Sequence, residues 1–206
     1  MKKELSLIAE SLAAGFMIGI GGIVFLSSET KIVSCLLFCV AMFSICTFKL
    51  LLFTGKACYL LANKADYLLF LGKVWFGNLL GAWLAAKLVS LTRLSPALVA
   101  KAQKLVTIKN ADSLLSLLLL GAFCGVMIYL VVENFARNPH EYGRYLAILL
   151  GITTFLMCGF EHSIADMFYY SLAEAWNLDA LLRIGVISLG NIAGGCFLPF
   201  LKSLQS

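Results

Sequence analysis

Three long stretches without Asp, Glu, Lys, Arg or His constrain this chain more than any other feature. They run from Ser113 to Val132, from Ile184 to Leu201 and from Ile32 to Phe48, and each approaches the about 20 residues that an α-helix needs to cross a membrane. The chain is 61% hydrophobic and 13% charged, whereas a soluble domain has roughly 45–50% apolar and 25% charged residues. We therefore expect an all-α protein embedded in a lipid bilayer.

Six apolar passages follow one another along the chain, and two of them are unusual. The six cover about residues 5–27, 32–62, 67–90, 113–133, 145–177 and 181–201. The second and fifth are too long for one span, and polar residues interrupt them at mid-depth, around Phe53-Thr54-Gly55-Lys56 and Gly159-Phe160-Glu161-His162-Ser163. We expect one transmembrane domain over residues 1–206, with six helices of which the second and fifth are broken.

Three short motifs recur in the same order in the two halves of the chain. Gly15-xxx-Gly19 returns as Gly121-xxx-Gly125, Cys46-x-Phe48-Lys49 as Cys158-x-Phe160-Glu161, and Gly77-Asn78-xx-Gly81 as Gly190-Asn191-xx-Gly194, at offsets of 106, 112 and 113 residues. Weak internal symmetry is typical of transporters built from repeats. Three spans per half is an odd number, so the second half must enter the membrane in the opposite sense. The sequence predicts inverted repeats at about residues 5–90 and 113–201.

Charge and cysteine patterns argue against several function classes. The formal charge of +5 comes from lysines and arginines scattered among short loops, which favours membrane orientation or anion attraction over nucleic-acid binding. The seven cysteines fall almost entirely inside apolar runs and lack the close spacing of zinc sites, so neither a metal nor another cofactor is expected. Six Lys and Arg on one side of the predicted spans and seven on the other leave the orientation open.

Two further segments are interpreted from their flanking residues. Two lysines precede the first apolar passage, as in a secretory signal, but Glu4 and Glu10 interrupt it, so we interpret it as a membrane span. The longest connection, from Leu91 to Asp112, contains Pro96 and a run of apolar and basic residues. This pattern predicts a short amphipathic helix at the membrane interface.

His162 is the most informative residue that the sequence puts at bilayer depth. An ionisable group inside the membrane is a functional candidate, and histidine exchanges protons near neutral pH. Glu161 beside it is interpreted as a structural anchor that caps a broken end or meets a cation such as Lys49. The other histidine, His140, is predicted to lie in a loop, so the two-histidine motif of zinc hydrolases is absent, as is a Gly-x-Ser-x-Gly nucleophile motif.

The broken helices suggest what could bind between them. A helix end inside the membrane leaves backbone polar groups that protein or cavity water must satisfy. Half-helices that begin near mid-membrane also present partial positive charge there. The two breaks therefore favour an anion near the middle of the bilayer.

The segment around His162 carries a family resemblance. Gly159-Phe-Glu-His-Ser-Ile-Ala-Asp-Met-Phe168 closely resembles the signature of the formate/nitrite transporter family, whose usual form has Asn where Asp166 stands. Leu52-Phe53-Thr54-Gly55 resembles the family's Leu-Phe-Thr loop, Phe76-Gly77-Asn78-Leu-Leu-Gly81-Ala its third-span motif, and Gly190-Asn191-Ile-Ala-Gly-Gly195 its sixth-span motif. The resemblance covers nearly the whole chain.

The resemblance implies an aquaporin-like bundle of six transmembrane helices assembled as a homopentamer, each protomer with its own pore. The implied substrates are small monovalent anions such as formate, nitrite, hydrosulfide, acetate or lactate, and the implied location is a bacterial inner membrane with both termini cytoplasmic. The resemblance also assigns residues: Thr54 as the loop threonine, His162 as the central histidine, Asn191 as an asparagine near it, Lys109 as an anion-attracting vestibule lysine, and Phe38 and Phe155 as constriction residues, joined by Leu52 and Phe53.

Four positions depart from the family pattern. Asp166 replaces the usual Asn, Leu51 stands in place of an acidic residue before the loop threonine, and Lys56 stands where Asn is common. Gly125 replaces a polar asparagine in the fourth span, and we expect it to widen or depolarise the pore wall opposite His162. We expect Lys56, like Lys49, to act on the local electrostatics.

The sequence thus predicts a channel or transporter for weak-acid anions rather than an enzyme. Lys109 is expected to concentrate anions at one mouth, and proton transfer from His162 or water is expected to lower the cost of dehydrating them. Two alternatives stay open: a neutral-solute channel of aquaporin type, although paired Asn-Pro-Ala motifs are absent, and a membrane-enzyme or assembly subunit, although no second catalytic partner is recognisable. For the single residues the alternative is structural: aromatic packing for Phe38 and Phe155, backbone hydrogen bonding for Thr54, and headgroup contact for Lys109.

Overall fold

The computed structural model describes residues 2–205, and within this range the chain forms helices and connecting loops, without a strand. The α-helices are α1 (Lys2–Ser27), α2 (Lys31–Thr47), α3 (Phe53–Ala57), α4 (Asp66–Ser90), α5 (Ser95–Ala111), α6 (Leu114–Arg137), α7 (Glu141–Cys158), α8 (Ser163–Leu172) and α9 (Leu178–Ser203). A short 3-10 helix at Leu60–Ala62 follows α3. The prediction of an all-α protein is confirmed.

The helices differ in whether they could cross a membrane. By length and apolar composition, α1, α4, α6 and α9 could each do so. α7 and α8 satisfy the same criterion only as a pair, which is bent by 56° at the break between them. α2 is also apolar but has only 17 residues. The fifth predicted passage is divided where its polar residues predict, between α7 and α8. The second is also divided, between α2 and α3, but the break lies at residues 48–52, and the predicted Phe53-Thr54-Gly55-Lys56 instead begin α3.

Two helix pairs approach each other closely enough to require glycine. α1 packs along α4, and α6 packs along α9. A Cβ atom on Gly81 of α4 would meet the backbone carbonyl oxygen of Leu12, and one on Gly194 of α9 would meet that of Ala122. Small residues at such positions let membrane helices pack through their backbones. The two halves of the chain thus use the same kind of helix pair.

α2 and α7 end in the same way, with a residue in the left-handed backbone conformation. This residue is Lys49 (φ 56°) after α2 and Gly159 (φ 73°) after α7. The following amide, of Leu50 or Phe160, donates to the carbonyl oxygen five residues earlier, at 2.9 and 3.0 Å. These are the bonds with which helices commonly terminate. Glycine adopts positive φ without steric cost, whereas at Lys49 the surrounding fold must impose it.

The matched helix ends correct the register of the internal repeat. Equivalent ends lie 110 residues apart (159 − 49 = 110), not 112 as in the sequence match. A side chain on Gly15 would meet the backbone carbonyl oxygen of Asn78, and one on Gly125 would meet that of Asn191. Gly15 therefore corresponds to Gly125, which is also 110 residues away, and not to Gly121 of the sequence match, which lies one helical turn earlier. The match of Asn78 with Asn191 is unchanged. The sequence had aligned identical residue types, whereas the structure aligns positions with identical contacts.

α8 lies at the centre of the fold. All ten of its residues are buried, and α1, α4, α5 and α9 pack around it. The neighbouring α5 buries one face only, through Leu98, Ala102, Val106 and Lys109. A helix is therefore present in this connection, as predicted, with Pro96 in its first turn. The last buried residue of its apolar face is a lysine.

Candidate functional site

The two helix breaks meet through one hydrogen bond between side chains. Thr54, in the first turn of α3, has its Oγ1 2.9 Å from Nε2 of His162, the residue before α8. Both residues are almost completely buried, with exposed fractions of 0% and 3%. Two residues that the sequence predicted as central are thus in direct contact, although 108 positions separate them in the chain.

The second ring nitrogen of His162 fixes the tautomer of the imidazole. Its Nδ1 accepts a hydrogen bond from the backbone N–H of Ala165 at 3.1 Å and so caps the first turn of α8. A nitrogen that accepts carries no proton in the neutral ring, so the proton lies on Nε2 and is donated to Thr54. The hydroxyl hydrogen of Thr54 is then left without an acceptor among the described residues.

The side-chain amide of Asn191 binds backbone groups at the break before α8. Its Oδ1 accepts from the backbone N–H of Ser163 at 3.0 Å, and its Nδ2 donates to the carbonyl oxygens of Gly121 (2.9 Å) and Glu161 (2.8 Å). These bonds satisfy backbone groups that the broken helix would otherwise leave unpaired in an apolar interior. Asn191 lies near His162, as predicted, but its amide is fully engaged with the backbone.

Asn78 does the same for the break before α3. Its Oδ1 accepts from the N–H of Phe53 at 2.7 Å, and its Nδ2 donates to the carbonyl oxygens of Ser11 (2.7 Å) and Leu51 (2.8 Å). Asn78 belongs to one of the repeat motifs, but it was not predicted as a site residue. The pairing of Asn78 with Asn191 in that motif was the signal that could have identified it.

Two cavities lie at opposite ends of α2. The first, of about 440 Å³, is lined by the C-terminal part of α2, including Met42 and Ile45, and by Leu52 and Gly55 at the start of α3. The second, of about 290 Å³, is lined by Lys31 at the N-terminus of α2 together with the break after α7. An α-helix rises 1.5 Å per residue, so Lys31 lies about 17–23 Å along α2 from the residues between Met42 and Cys46 that line the first cavity. We call them the first and second cavity.

Aromatic rings lie between the two cavities. Phe38 and Phe155 meet edge to face, with ring centroids 6.4 Å apart, and Phe155 stacks on the ring of His162 at 5.9 Å. Phe155 and His162 line the second cavity, and Leu52 lines the first. Of the predicted constriction residues, Phe155 contacts His162 and Phe38 contacts Phe155, whereas Leu52 lines the first cavity. Phe38 and Phe53 are buried and line neither cavity.

Lys109 is not a free cation. Its Nζ contacts Oε2 of Glu161 and lies 2.8 Å from Oδ1 of Asp166. The exposed fractions of the three residues are 9%, 7% and 1%, in the order Lys109, Glu161, Asp166. We call these residues the ion cluster. Glu161 does meet a cation, as expected, but the cation is Lys109 and not Lys49. An ammonium with two carboxylate partners cannot by itself attract an anion.

Lys49 and Lys56 line the first cavity, together with Arg144. No carboxylate is among the residues that line this cavity, and within residues 2–205 neither lysine has an ion-pair partner. Three cations therefore line one cavity that has no carboxylate in its lining, and a neighbouring acid, Glu133, binds Tyr59 and pairs with Arg137. Lys49 and Lys56 were predicted to have a local electrostatic role. Arg144 lies far from them in the chain, so no local motif could have joined it to them.

Gly125 does not face either cavity. A Cβ atom there would meet the carbonyl oxygen of Asn191 and the backbone nitrogen of Gly195, both on α9. The residue permits close packing of α6 on α9. The expectation that Gly125 widens a pore wall opposite His162 is therefore wrong, because the space that its missing side chain would fill is occupied by a neighbouring helix.

Two more residues line the second cavity with polar atoms that have no partner. Asp166 Oδ2 and the Tyr169 hydroxyl are both buried, and each lacks a hydrogen bond among the described residues. In the sequence, Asp166 was identified only as a departure from the family signature. It could have been predicted as a site residue, because an acid replaces a neutral amide in a span that is otherwise apolar.

Comparisons with known proteins agree with this geometry. The sequence profile described as formate/nitrite transporter matches residues 2–203. A solved structure described as an FNT family ion channel has 22% identity and a TM-score of 0.83, over 98% of this chain and 90% of that chain. A pentameric formate channel with formate bound has 20% identity and a TM-score of 0.81, over 99% and 96%. No curated protein sequence matches.

These similarities settle the fold and the general class of the protein. The solved structures share the arrangement of helices over nearly the full length of the chain. The several long apolar helices are those of an integral membrane protein. Since the family profile spans almost every residue, the chain belongs to the formate/nitrite transporter family.

Proposed function

We propose that this protein is a channel or transporter for small monovalent weak-acid anions, and that it has no enzymatic activity. In this proposal the chain forms one aquaporin-like domain of six spans from two inverted repeats, assembled as a homopentamer in a bacterial inner membrane with both termini cytoplasmic. The pentameric formate channel supports the assembly and the class of substrate. The equivalent backbone bonds of Asn78 and Asn191 support the repeats.

The contact between Thr54 and His162 carries the proposal. It lies where the two breaks meet, flanked by the aromatic pair Phe38 and Phe155 and by one cavity on each side. An anion that passes between the cavities must lose most of its water here, and a bare carboxylate loses more hydration free energy than a neutral acid does. The free hydroxyl hydrogen of Thr54 is a donor that can replace part of that water.

His162 orients this donor and does not begin as an acid. In the tautomer that caps α8, the ring can release its Nε2 proton only if Nδ1 gains one, and gaining one breaks the hydrogen bond from Ala165. We therefore propose that His162 acts through its hydrogen bond to Thr54, and that water supplies the proton when an anion crosses as the neutral acid. Because the proton comes from water, proton-coupled transport leaves the cap of α8 in place.

The first cavity supplies the positive field that Lys109 cannot supply. Lys49, Lys56 and Arg144 line it without a carboxylate, and a mouth lined by charges of one sign raises the local concentration of oppositely charged solutes. We propose that anions gather in this cavity before they reach Thr54. In the second cavity, by contrast, Lys109 is neutralised by the ion cluster.

A flux assay in proteoliposomes tests the proposal. Formate, nitrite, hydrosulfide, acetate and lactate are each supplied at two pH values, and uptake is compared with that of empty liposomes. We expect uptake of at least one anion, with a dependence on pH. Water or glycerol flux without anion flux would instead indicate a neutral-solute channel, and no flux of any solute would favour a membrane-enzyme or assembly subunit.

Two variants of Thr54 connect the flux to the proposed site. Thr54→Val keeps the shape of the side chain but removes the hydroxyl, so we expect an initial uptake rate about tenfold lower, the cost of about one hydrogen bond. Thr54→Ser keeps the hydroxyl and serves as the matched control, with uptake near that of the wild type. Equal uptake by the valine and serine variants would contradict the assignment.

A further inference from the structure

The ion cluster carries an unbalanced charge. Lys109 contributes one positive charge, whereas Glu161 and Asp166, when both are ionised, contribute two negative charges. None of the three residues is more than 9% exposed. An asparagine at position 166 would leave a balanced pair of one lysine and one glutamate. The excess negative charge therefore comes from the second carboxylate.

Both carboxylates bind the same ammonium group, so they also lie close to each other. Two oxygens within hydrogen-bonding reach of one nitrogen are at most about 6 Å apart. Their mutual repulsion is strong in a buried site, because little water screens it. A buried charge without a partner is also strongly disfavoured. One proton bound by the two acids removes both costs.

The structure contains an open position for this proton. Oδ1 of Asp166 is bound to Lys109, whereas Oδ2 has no hydrogen-bond partner among residues 2–205 although it is buried. Asp166 lines the second cavity, where it can exchange a proton with water. The hydroxyl of Tyr169, which lines the same cavity, also lacks a partner. When Oδ2 is protonated, the cavity therefore offers two O–H donors.

The other groups near the cluster do not supply a compensating charge within it. His162, on the lining of the same cavity, is bound through both ring nitrogens in its neutral form. Cys124 of α6, another neighbour of the cluster, is a fully buried thiol. Lys31 also lines the cavity, but it is exposed at the first turn of α2. Arg183 of α9 donates to the backbone carbonyl oxygen of Lys109 at 3.0 Å, but its own ion pair is with Asp179, at 2.6 Å. A proton bound by the two acids is the partner that balances the charge of the cluster.

We propose that Glu161 and Asp166 share one exchangeable proton, and that this proton controls the access of anions to the second cavity. With the proton bound, the cluster is neutral, and the hydroxyl groups of Asp166 and Tyr169 can donate to an anion. After its release to water, the cluster is negative and repels the anion. Access is thus favoured at low pH. The part that concerns anions rests on the proposed function, whereas the shared proton does not.

Infrared spectroscopy tests the shared proton without requiring flux. Protein in liposomes at pH 7 is compared between the wild type, Asp166→Asn and Glu161→Gln, and the C=O stretching band of a protonated carboxylic acid is identified by its shift in D2O. We expect both variants to lose one such band, because either substitution leaves one carboxylate for one ammonium. A band that persists in both variants, or a wild type that has no such band, overturns the proposal.

Formate exchange tests the consequence for anions. Labelled formate is exchanged at equal pH inside and outside, between about pH 5 and 8, where formate remains almost fully ionised. We expect the wild-type rate to fall as the pH rises, whereas D166N at pH 8 exchanges formate about tenfold faster than the wild type, a difference of about 1.4 kcal/mol. Asp66→Asn, at an exposed helix end, serves as the control and should follow the wild-type profile.

The two experiments separate this inference from the proposed function. If D166N and the wild type have the same pH profile, the control of access is wrong even if the protein conducts formate. If neither protein transports any anion, the proposed function fails, while the infrared bands still decide whether the proton is shared.

Discussion

Asn78 and Asn191 make the same three hydrogen bonds in the two halves of the chain. Each amide accepts from the first backbone N–H of a half-helix and donates to two carbonyl oxygens, one on the neighbouring helix and one two residues before that half-helix. A break in a membrane helix exposes such groups where no lipid can satisfy them. The two asparagines therefore make both breaks possible, and the breaks position Thr54 and His162.

Removing either amide should destabilise the protein. Asn191→Ala and Asn78→Ala each leave two backbone groups of a break without a partner, the first N–H of the half-helix and the carbonyl two residues before it. Each such group costs about 1–3 kcal/mol. We expect a clearly lower unfolding temperature in detergent for both variants. Asn63→Ala is the control, because the exposed Asn63 donates only to the nearby Tyr59 carbonyl. If all three variants unfold at the same temperature as the wild type, the breaks do not depend on these amides.

The fold was more predictable from the sequence than the site. Apolar length and mid-span polar residues predicted that both long passages are broken, because a helix interrupted in hydrocarbon leaves a clear pattern. They located the break before α8, whereas the break before α3 lies at residues 48–52 and not at 53–56. The repeat register was wrong by a helical turn at Gly15, since glycines at four-residue spacing are common on packed membrane helices. Contacts such as that of Gly125 with α9 could not be inferred, because they depend on how two helices are rotated against each other.

The charges of the site illustrate the same limit. His162 and Thr54 were identified from local motifs and do meet. For Glu161 the sequence suggested a cation such as Lys49, whereas the structure pairs it with Lys109, because the partner depends on which end of the fold each lysine reaches. Lys109 ends the buried face of α5, next to α8, whereas Lys49 follows the C-terminus of α2 and lines the first cavity.

The two roles of His162 can be separated by substitution. His162→Asn should keep the cap of α8, because asparagine is among the most favourable N-cap residues, but its shorter side chain cannot reach Thr54 as the ring does. We expect an unfolding temperature near that of the wild type, together with formate exchange at least about tenfold slower, in line with the loss of one hydrogen bond.

His162→Ala provides the comparison for this variant. It removes the cap as well, which should cost about 1 kcal/mol of stability in addition to the loss of exchange. Wild-type exchange by H162N would show that the hydrogen bond to Thr54 is not needed for conduction. An H162N protein as unstable as H162A would show that the asparagine does not cap α8.

Lys109 should contribute to stability far more than a surface lysine does. Lys109→Met leaves two buried carboxylates without their cation, and breaking a buried ion pair in this way costs about 3–5 kcal/mol. Lys101→Met is the matched control: Lys101 pairs with Glu29, whose side chain is 87% exposed, and donates to the Leu26 carbonyl oxygen, so the loss should be much smaller. Thermal unfolding of both proteins measures the difference.

A rescue experiment identifies the cause of that loss. In the triple variant Lys109→Met, Glu161→Gln, Asp166→Asn, no charge remains in the cluster, so we expect much of the stability to return. If the triple variant is no more stable than K109M, then the packing of the lysine side chain, rather than its charge, accounts for the effect.

The cations of the first cavity should determine how anion uptake depends on salt. In the triple variant Lys49→Gln, Lys56→Gln, Arg144→Gln, the cavity keeps its size but loses the field that gathers anions. At low ionic strength and low formate concentration, we expect uptake to fall severalfold. At about 1 M of an inert salt, where the screening length is only about 3 Å, the uptake rates of the variant and the wild type should converge.

Lys64→Gln, which changes an exposed lysine that lines neither cavity, is the control. A salt dependence identical in the triple variant and the wild type would mean that these charges act locally and do not recruit the substrate.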